Sequence, residues 1–490
     1  MAPRVIVVGL GPGRPEQLTR EAWDTIWGTQ VLYLRTRHHP VVGHLPGHLE
    51  VRAFEQFGGA GQDRVRPAEA VVAWLLQGPE RPLVYAVPGH PLVGEATTRL
   101  LLHHLGPEEV HLVAGLSVPG AACTALGLDP LEQGLQLYDA LDLALPDSPF
   151  LPPVPLDPTR PLLVACLTQA AVAAGLIRSL RQHYPSDHPV AAVSAAGVAG
   201  QTVRWSTLVD LEGEDRPDGL CTLYLPALGR LQARREAATL EWVLARLRGP
   251  GGCPWDREQD HSSLRRNLLE ECFEVLDTLD REDLQELREE LGDLLMQVFL
   301  HAQLAREEGA FTLGDVLEGI TTKLIRRHPH VFGQLQVADS REVLRNWEAI
   351  KAVERGEEGE EGTSLLDGLP RALPALAHAQ AIGRRVARVG FDWTRVEDVW
   401  TKVEEEMGEL RRAGTDVERA EELGDVLFSL VNLARWLGVE AEDSLRATNA
   451  KFRQRFTRLE QEAGRRGLAL ERMELAEMDG IWDALKEQEK

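Results

Sequence analysis

The chain has 490 residues and is 43% hydrophobic, enough apolar material for about three or four domains at roughly 100–200 residues each. Its formal net charge of −23 argues against a dedicated DNA- or RNA-binding surface, and no apolar run is long enough to span a bilayer. The five cysteines (Cys123, Cys166, Cys221, Cys253, Cys272) form no CxxC pair, and no signal-like segment precedes the first strand, so a reduced, cytoplasmic protein is expected.

Charge density divides the sequence. Residues 1–230 carry 39 charged side chains and residues 231–490 carry 90, with the change near Leu225–Gln232. In the sparse half, Arg4–Val8 reads as a buried strand running into Gly9-Leu-Gly11-Pro-Gly13. Leu83–Glu95 is a second strand breaking into Pro88-Gly89-His90-Pro91, and Val110–Gly120 a third, ending in Gly115-Leu-Ser117. Three strands that each end in a glycine-rich loop would align those loops on one edge of a parallel sheet, where ligands bind in open α/β folds. The first loop fails the dinucleotide fingerprint, because Pro12, Arg14 and Pro15 replace an immediate helix. Asp147–Pro161, with six prolines, is expected to be an exposed loop.

The dense half reads as successive helices. Leu268–Leu295 holds Glu270-Glu271-x-x-Glu274 and Glu290-x-x-Asp293 within an apolar-periodic pattern, and Asp280–Asp283 reads as a turn with a new N-cap. Glu270 and Glu274 share one helix face, as do Glu290 and Asp293, so two helices folded back there would gather these four carboxylates into one gap. No Lys or Arg follows these acids one turn later, and Leu268, Leu269, Phe273, Leu276, Leu287, Leu291 and Leu295 place them at the edge of a core. Crowded carboxylates repel and resist desolvation unless a cation joins them; an all-oxygen set suits Mg²⁺ or Mn²⁺. A solvated acidic face is the competing reading, and repetition weighs against it. Glu405-Glu406-x-x-Glu409 and Glu422-x-x-Asp425 recur downstream, CPWD (Cys253–Asp256) is answered by GFDW (Gly390–Trp393), Lys323 with Arg327 by Lys451 with Arg455, and Trp347–Lys351 by Trp482–Lys486. Matched features in one order are an internal repeat. Arg355–Ser364, acidic and of low complexity, is expected to link the two copies.

GLGPGRPEQLT (Gly9–Thr19), the Pro88–Pro91 loop, GLSVPGAA (Gly115–Ala122), Pro161–Thr168 and Val203–Leu211 together resemble the tetrapyrrole (corrin/porphyrin) methylases over about residues 3–228. The resemblance implies two α/β lobes, 1–115 and 116–228, holding S-adenosylmethionine between them. Gly9, Gly11 and Gly13 would then line the pocket floor, with Gly89, His90, Pro91 and Ser117 facing the cofactor. His90 departs from that family's Gly-Asp-Pro loop, where an acid would stand.

Across about residues 231–488, GCPWD, EExxE, ELGDLL, RRHPHVF (Arg326–Phe332) and GFDW resemble the MazG family of nucleoside triphosphate pyrophosphohydrolases. That resemblance implies all-α repeats at 231–354 and 365–490, and Mg²⁺-dependent hydrolysis of a nucleoside triphosphate to the monophosphate and pyrophosphate. The acids Glu406, Glu409, Glu422 and Asp425, with Glu270, Glu271, Glu274, Glu290 and Asp293 in the first repeat, become the candidate metal ligands. Glu405 is the candidate for orienting or deprotonating water, and Lys451 and Arg455 for neutralising the outer phosphates. Lys402, Asn449 and Trp482 complete the candidate substrate contacts, with Lys323 and Arg327 in the first repeat; Thr321 replaces Asn449 there. Tandem members divide labour, so the second repeat is expected to be hydrolytic and the first mainly structural, although its acids are intact. Acidic helix pairs close into four-helix bundles, within a chain or across a dimer, and a homodimer is expected. The expected role is housecleaning of the nucleotide pool. Two alternatives stand beside it: methyl transfer to a tetrapyrrole-like acceptor as the main activity, and a non-catalytic nucleotide-sensing module.

Overall fold

The structure, a computed structural model, describes residues 3–488 except 56–64, 79–81, 133, 145–153, 168–169, 213–220, 358–363, 368 and 371. Most of the acidic linker and the first part of the proline-rich stretch lie outside the described residues. The chain forms two compact units, Met1–Gln259 and Asp260–Lys490.

The first unit carries two five-stranded sheets. One is wholly parallel and is built from β1 (Val5–Gly9), β2 (Val31–Leu34), β3 (Glu50–Ala53), β4 (Leu83–Val87) and β5 (Val110–Val113), in the order β3-β2-β4-β1-β5. Its helices are α1 (Arg20–Trp27), α2 (Val65–Gln77) and α3 (Ala96–Leu105). A parallel sheet covered on both faces needs apolar residues on both sides of each strand. Accordingly Val5, Val7, Tyr85 and Val87 pack with Val71, Leu75 and Leu101, while Val8, Val84 and Ala86 pack with Ala22 and Ile26 on the opposite face. Because β4, β1 and β5 are neighbours and parallel, the three glycine-rich loops leave the sheet at one edge, side by side.

After α4 (Val118–Leu126), the second sheet has the order β6-β7-β10-β8-β9. Its members are β6 (Gln136–Asp139), β7 (Leu162–Leu167), β8 (Pro189–Ser194), β9 (Thr202–Thr207) and β10 (Cys221–Leu225), accompanied by α5 (Ala140–Leu143) and α6 (Ala170–His183). Only β6 and β7 pair in parallel. The helices α7 (Ala237–Arg248) and α8 (Pro254–Glu258) also belong to this unit. The structural division therefore falls after the CPWD motif, some way beyond the shift in charge density. Arg248 holds the motif's turn by donating to the backbone carbonyls of Asp256 and Gln259.

The second unit is helical. In the first repeat, α9 (Arg265–Asp280) and α10 (Leu284–Glu308) fold back through a three-residue turn, followed by α11 (Leu313–Arg327), α12 (Pro329–Phe332) and α13 (Ser340–Glu357). The second repeat has α14 (Ala375–Ala387), α15 (Val396–Arg412), α16 (Asp416–Trp436), α17 (Ala441–Arg465) and α18 (Leu475–Gln488). The turns are written in the sequence. Asp283 caps α10 by accepting from the Gln285 and Glu286 amides, and Thr415 with Glu418 forms a capping box on α16. The apolar flanks of the acids are not a closed core. Leu269, Phe273, Leu291 and Leu295 are each more than 40% exposed, so the edge-of-core expectation for them is corrected: within one chain they border an open face.

Candidate active site

Each repeat gathers three carboxylates from one helix pair. Glu406 and Glu409, one turn apart on α15, meet Glu422 of α16, and in the first repeat Glu271 and Glu274 of α9 meet Glu290 of α10. In both trios one oxygen from each residue lies within 4.8 Å of the others. Burial pushes the Glu422 carboxyl above its ordinary range, and the charges of Glu409 and Asp425 add to the shift. Burial likewise raises Glu271, helped by Asp293 and Glu274, and raises Glu290, helped by Glu274 and Asp293. Asp293 and Asp425 thus act on the trios by charge while standing outside the tightest grouping. The Glu422 Oε2 atom is buried with no partner among the described residues. An unpartnered buried carboxylate oxygen in an all-oxygen trio fits a hard divalent cation.

Some acids of the trios, and others beside them, also meet cations. Glu270 accepts from Arg266, 2.8 Å away. Glu405 shares Lys402 with Glu406, at 3.0 and 2.7 Å. Glu409 lies 3.7 Å from Arg412. Arg266 and Lys402 thus reach Glu270, Glu405 and Glu406 from the turn before, and Arg412 approaches Glu409 from the turn after.

The candidate phosphate-binding residues sit on the later helices. Asn449 and Lys451 are exposed on α17, and the Arg455 guanidinium lies 5.2 Å from the Trp482 ring centre. Trp482, on α18, also packs beside Phe452 and against the small core of Leu459, Ala463, Met473 and Ile481. In the first repeat Lys323 is exposed on α11, and Arg327 makes a two-point pair with Glu354 while lying 5.6 Å from the Trp347 ring. Arg326 binds the same carboxylate at 2.5 Å. Hydrogen bonds from Arg327 hold the Glu354 carboxyl below the usual range. Thr321 occupies the position of Asn449 on α11. His328, by contrast, is occupied with the backbone: its Nδ1 lies 2.7 Å from the Leu324 carbonyl oxygen.

In the first unit a cavity of about 620 Å³ opens where the glycine-rich loops end, lined among others by His90, Gly115, Ser117, Gly197 and Gln201. Of the residues expected there, His90 and Ser117 line it; Gly9, Gly11, Gly13, Gly89 and Pro91 do not. The glycines answer a packing demand. A Cβ at Gly9 would lie 2.7 Å from both the Gly115 nitrogen and the Gly89 oxygen, so the first and third loops touch backbone to backbone. Gly11 and Gly89 exchange two backbone hydrogen bonds with both φ values near +66°. Ser117 caps α4 by accepting from the Gly120 amide.

Comparison with known proteins matches both halves. The tetrapyrrole (corrin/porphyrin) methylase family matches residues 4–212, and the MazG nucleotide pyrophosphohydrolase domain matches residues 259–332. The uncharacterized protein YabN of Bacillus subtilis is 38% identical over 499 residues, covering all of both chains. The nucleoside triphosphate pyrophosphohydrolase of Escherichia coli K12 is 47% identical over 253 residues, which is 50% of this chain and 95% of that one. This chain belongs to the MazG family. The Thermotoga maritima nucleoside triphosphate pyrophosphohydrolase/pyrophosphatase MazG is 43% identical over 244 residues, 50% of this chain and 93% of its own. The chain is accordingly an enzyme of the MazG pyrophosphohydrolase type with a methylase-like first half.

Within this MazG chain, the matched domain segment takes in the whole of the first acidic trio, α9 to α10. Sequence reasoning missed Gln297, whose buried amide hydrogen-bonds Glu271, and Glu354, which clasps the first repeat's arginines. Neither carries a local signal beyond its helical spacing. Gly292 and Gly424 stand inside the acidic motifs; apart from chain neighbours and their own helix backbone, no atom of the described residues lies within 4 Å of where their Cβ would be.

Proposed function

We propose that the second repeat hydrolyses nucleoside triphosphates to the monophosphate and pyrophosphate with Mg²⁺ or Mn²⁺, as part of nucleotide-pool housecleaning. The observation that carries this is the trio of Glu406, Glu409 and Glu422, with the Glu422 Oε2 atom buried and without a partner among the described residues. Those three, with Asp425, would hold the ion. When bound, it supplies charge neutralisation and polarises the phosphate and water oxygens around it. The protein groups do the rest. Glu405 accepts a proton from the attacking water, whose oxygen bonds the α-phosphorus as the α–β bridging bond breaks and pyrophosphate leaves. Lys451 and Arg455 offset charge on the outer phosphates, Asn449 hydrogen-bonds the substrate, and Trp482, already backed by Arg455, offers a face to the base. The open space beside Gly424 supports close approach of a ligand, since a mid-helix glycine is otherwise a cost.

Repeat boundaries of 231–354 and 365–490, and lobes of 1–115 and 116–228, accompany this reading. The first repeat is mainly structural, with Lys323 and Arg327 as its counterparts to the second repeat's cations. A second reading is favoured by the cavity at the glycine-rich loops: His90 and Ser117 there support binding of S-adenosylmethionine, with a tetrapyrrole-like acceptor. The exposed stripe of Val316, Leu317, Ile320 and Leu324 on α11 supports a homodimer. The test is a panel of nucleoside triphosphates with and without Mg²⁺, alongside labelled S-adenosylmethionine. Metal-dependent monophosphate and pyrophosphate uphold the first reading, and label transfer alone would displace it. Light scattering that gave a single-chain mass would remove the dimer.

A further inference from the structure

The two acidic trios differ most at the position one turn upstream. In the second repeat Lys402 stands four residues before Glu406, with its Nζ 2.7 Å from Glu406 Oε1 and 3.0 Å from Glu405 Oε1. In the first repeat that position, four residues before Glu271, is Asn267. Among the described residues no Lys or Arg pairs with Glu271, Glu274 or Glu290; Arg266, the neighbour, is turned to Glu270. The second trio therefore carries its own ammonium ion, and the first carries none.

A further polar group stands beside the first trio. Gln297 is 2% exposed, its amide donates to Glu271, and its Oε1 has no partner among the described residues. A buried amide oxygen without a donor is costly unless something electropositive meets it. Carboxylates and a side-chain amide oxygen are together the ligand types of a hard divalent cation. The aligned residue of the second repeat, Ser429, offers no such oxygen.

We propose that the first-repeat trio, with Gln297, is a divalent-cation site that fills without nucleotide, whereas the second-repeat trio fills only together with a triphosphate. The reason is competition. A cation entering the second trio must displace Lys402 from a buried carboxylate, and the displaced ammonium needs a new anion. A triphosphate supplies one, so metal and nucleotide load together there. The first trio has no cation to evict. This inference rests on the metal reading above and adds the order of filling. The first repeat then holds a resident ion that braces α9 against α10, and the second uses its ion only during turnover.

The test is Mn²⁺ titrated into the full chain, read by calorimetry and by the paramagnetic signal of free Mn²⁺, first alone and then with an α,β-methylene triphosphate. Without nucleotide one class of site per chain should fill at least about tenfold more tightly than any other, the scale set by one charge-assisted hydrogen bond. That class should vanish in Glu274→Gln and persist in Glu409→Gln. The reciprocal exchange is the sharper arm, because neither variant removes a carboxylate. Asn267→Lys should weaken nucleotide-free binding about tenfold or more, and Lys402→Asn should create a second nucleotide-free class. Two equal classes in the wild type, or loss of nucleotide-free binding in Glu409→Gln, would overturn the order of filling and leave the metal reading intact. Silence at both trios even with the analogue would remove the metal reading itself.

Discussion

The two repeats use one helix pair each to crowd three carboxylates, and they differ in what surrounds the crowding. The second keeps a lysine against its buried glutamate and leaves Arg455 beside a tryptophan face. The first leaves its trio without a cation and closes two arginines onto Glu354, whose side chain is only 7% exposed. The same acidic motif thus sits in one setting with an ammonium ion against the trio and in another with the nearby guanidinium groups paired to a separate buried carboxylate.

The largest effect should come from removing divalent cations: chelation should cut pyrophosphate release to below about 1% of its rate, because the cation's charge stabilisation is worth several kcal/mol. Release that persisted in chelator would break the comparison at its root. Next comes Arg455→Ala, expected to lower kcat/KM about 10- to 100-fold, the range of a charge-assisted hydrogen bond. The counterpart Arg327→Ala should leave hydrolysis unchanged and lower the melting temperature, because it strips Glu354 of its two-point partner; equal kinetic losses in both variants would show that the repeats share the work. A smaller effect is expected at Asp392, held by Arg435 through two hydrogen bonds and by the Trp436 indole. Asp392→Asn should cost about 1–2 kcal/mol of stability. The Arg435 hydrogen bonds depress the Asp392 carboxyl, so its contribution is present above its unfolded pKa of 3.8 and fades as pH falls through the lower folded value. A stability difference between wild type and Asp392→Asn that grew on acidification would contradict this. Smallest is Gly424→Ala, which should raise stability by about 1 kcal/mol while slowing hydrolysis; faster or unchanged turnover would mean that the space beside α16 admits no substrate.

Much of this was legible in the sequence, and the failures have physical causes. The helix–turn–helix around Asp283 announces itself through an N-cap, and the parallel sheet through fully apolar strands ending in glycine. The four-residue step pairs Glu270 with Glu274, but the structure groups Glu271 with Glu274 and Glu290 instead. Glu270 and Glu271 both lie a helical step from Glu274, and only the phase of α9 against α10 sends Glu271 inward and Glu270 to Arg266. Helical pairing favours a balancing cation one turn after an acid, as Arg412 stands to Glu409, whereas Lys402 reaches Glu406 from the turn before. Leu269, Leu291 and Leu295 have core-like spacing yet remain open, while Leu268, Leu276 and Leu287 are half-buried, because periodicity reports which face is apolar and not what covers it. The glycine loops show the same limit: the pattern marks close approach, and the structure reveals that Gly9 approaches Gly115 and Gly89 rather than a cavity.

The most direct measurement compares Glu409→Ala with Glu274→Ala for pyrophosphate release from a nucleoside triphosphate in saturating Mg²⁺. The second repeat as the hydrolytic one predicts release lowered about a hundredfold or more in Glu409→Ala and changed less than about threefold in Glu274→Ala. Unchanged release in Glu409→Ala, or a larger loss in Glu274→Ala, would contradict it.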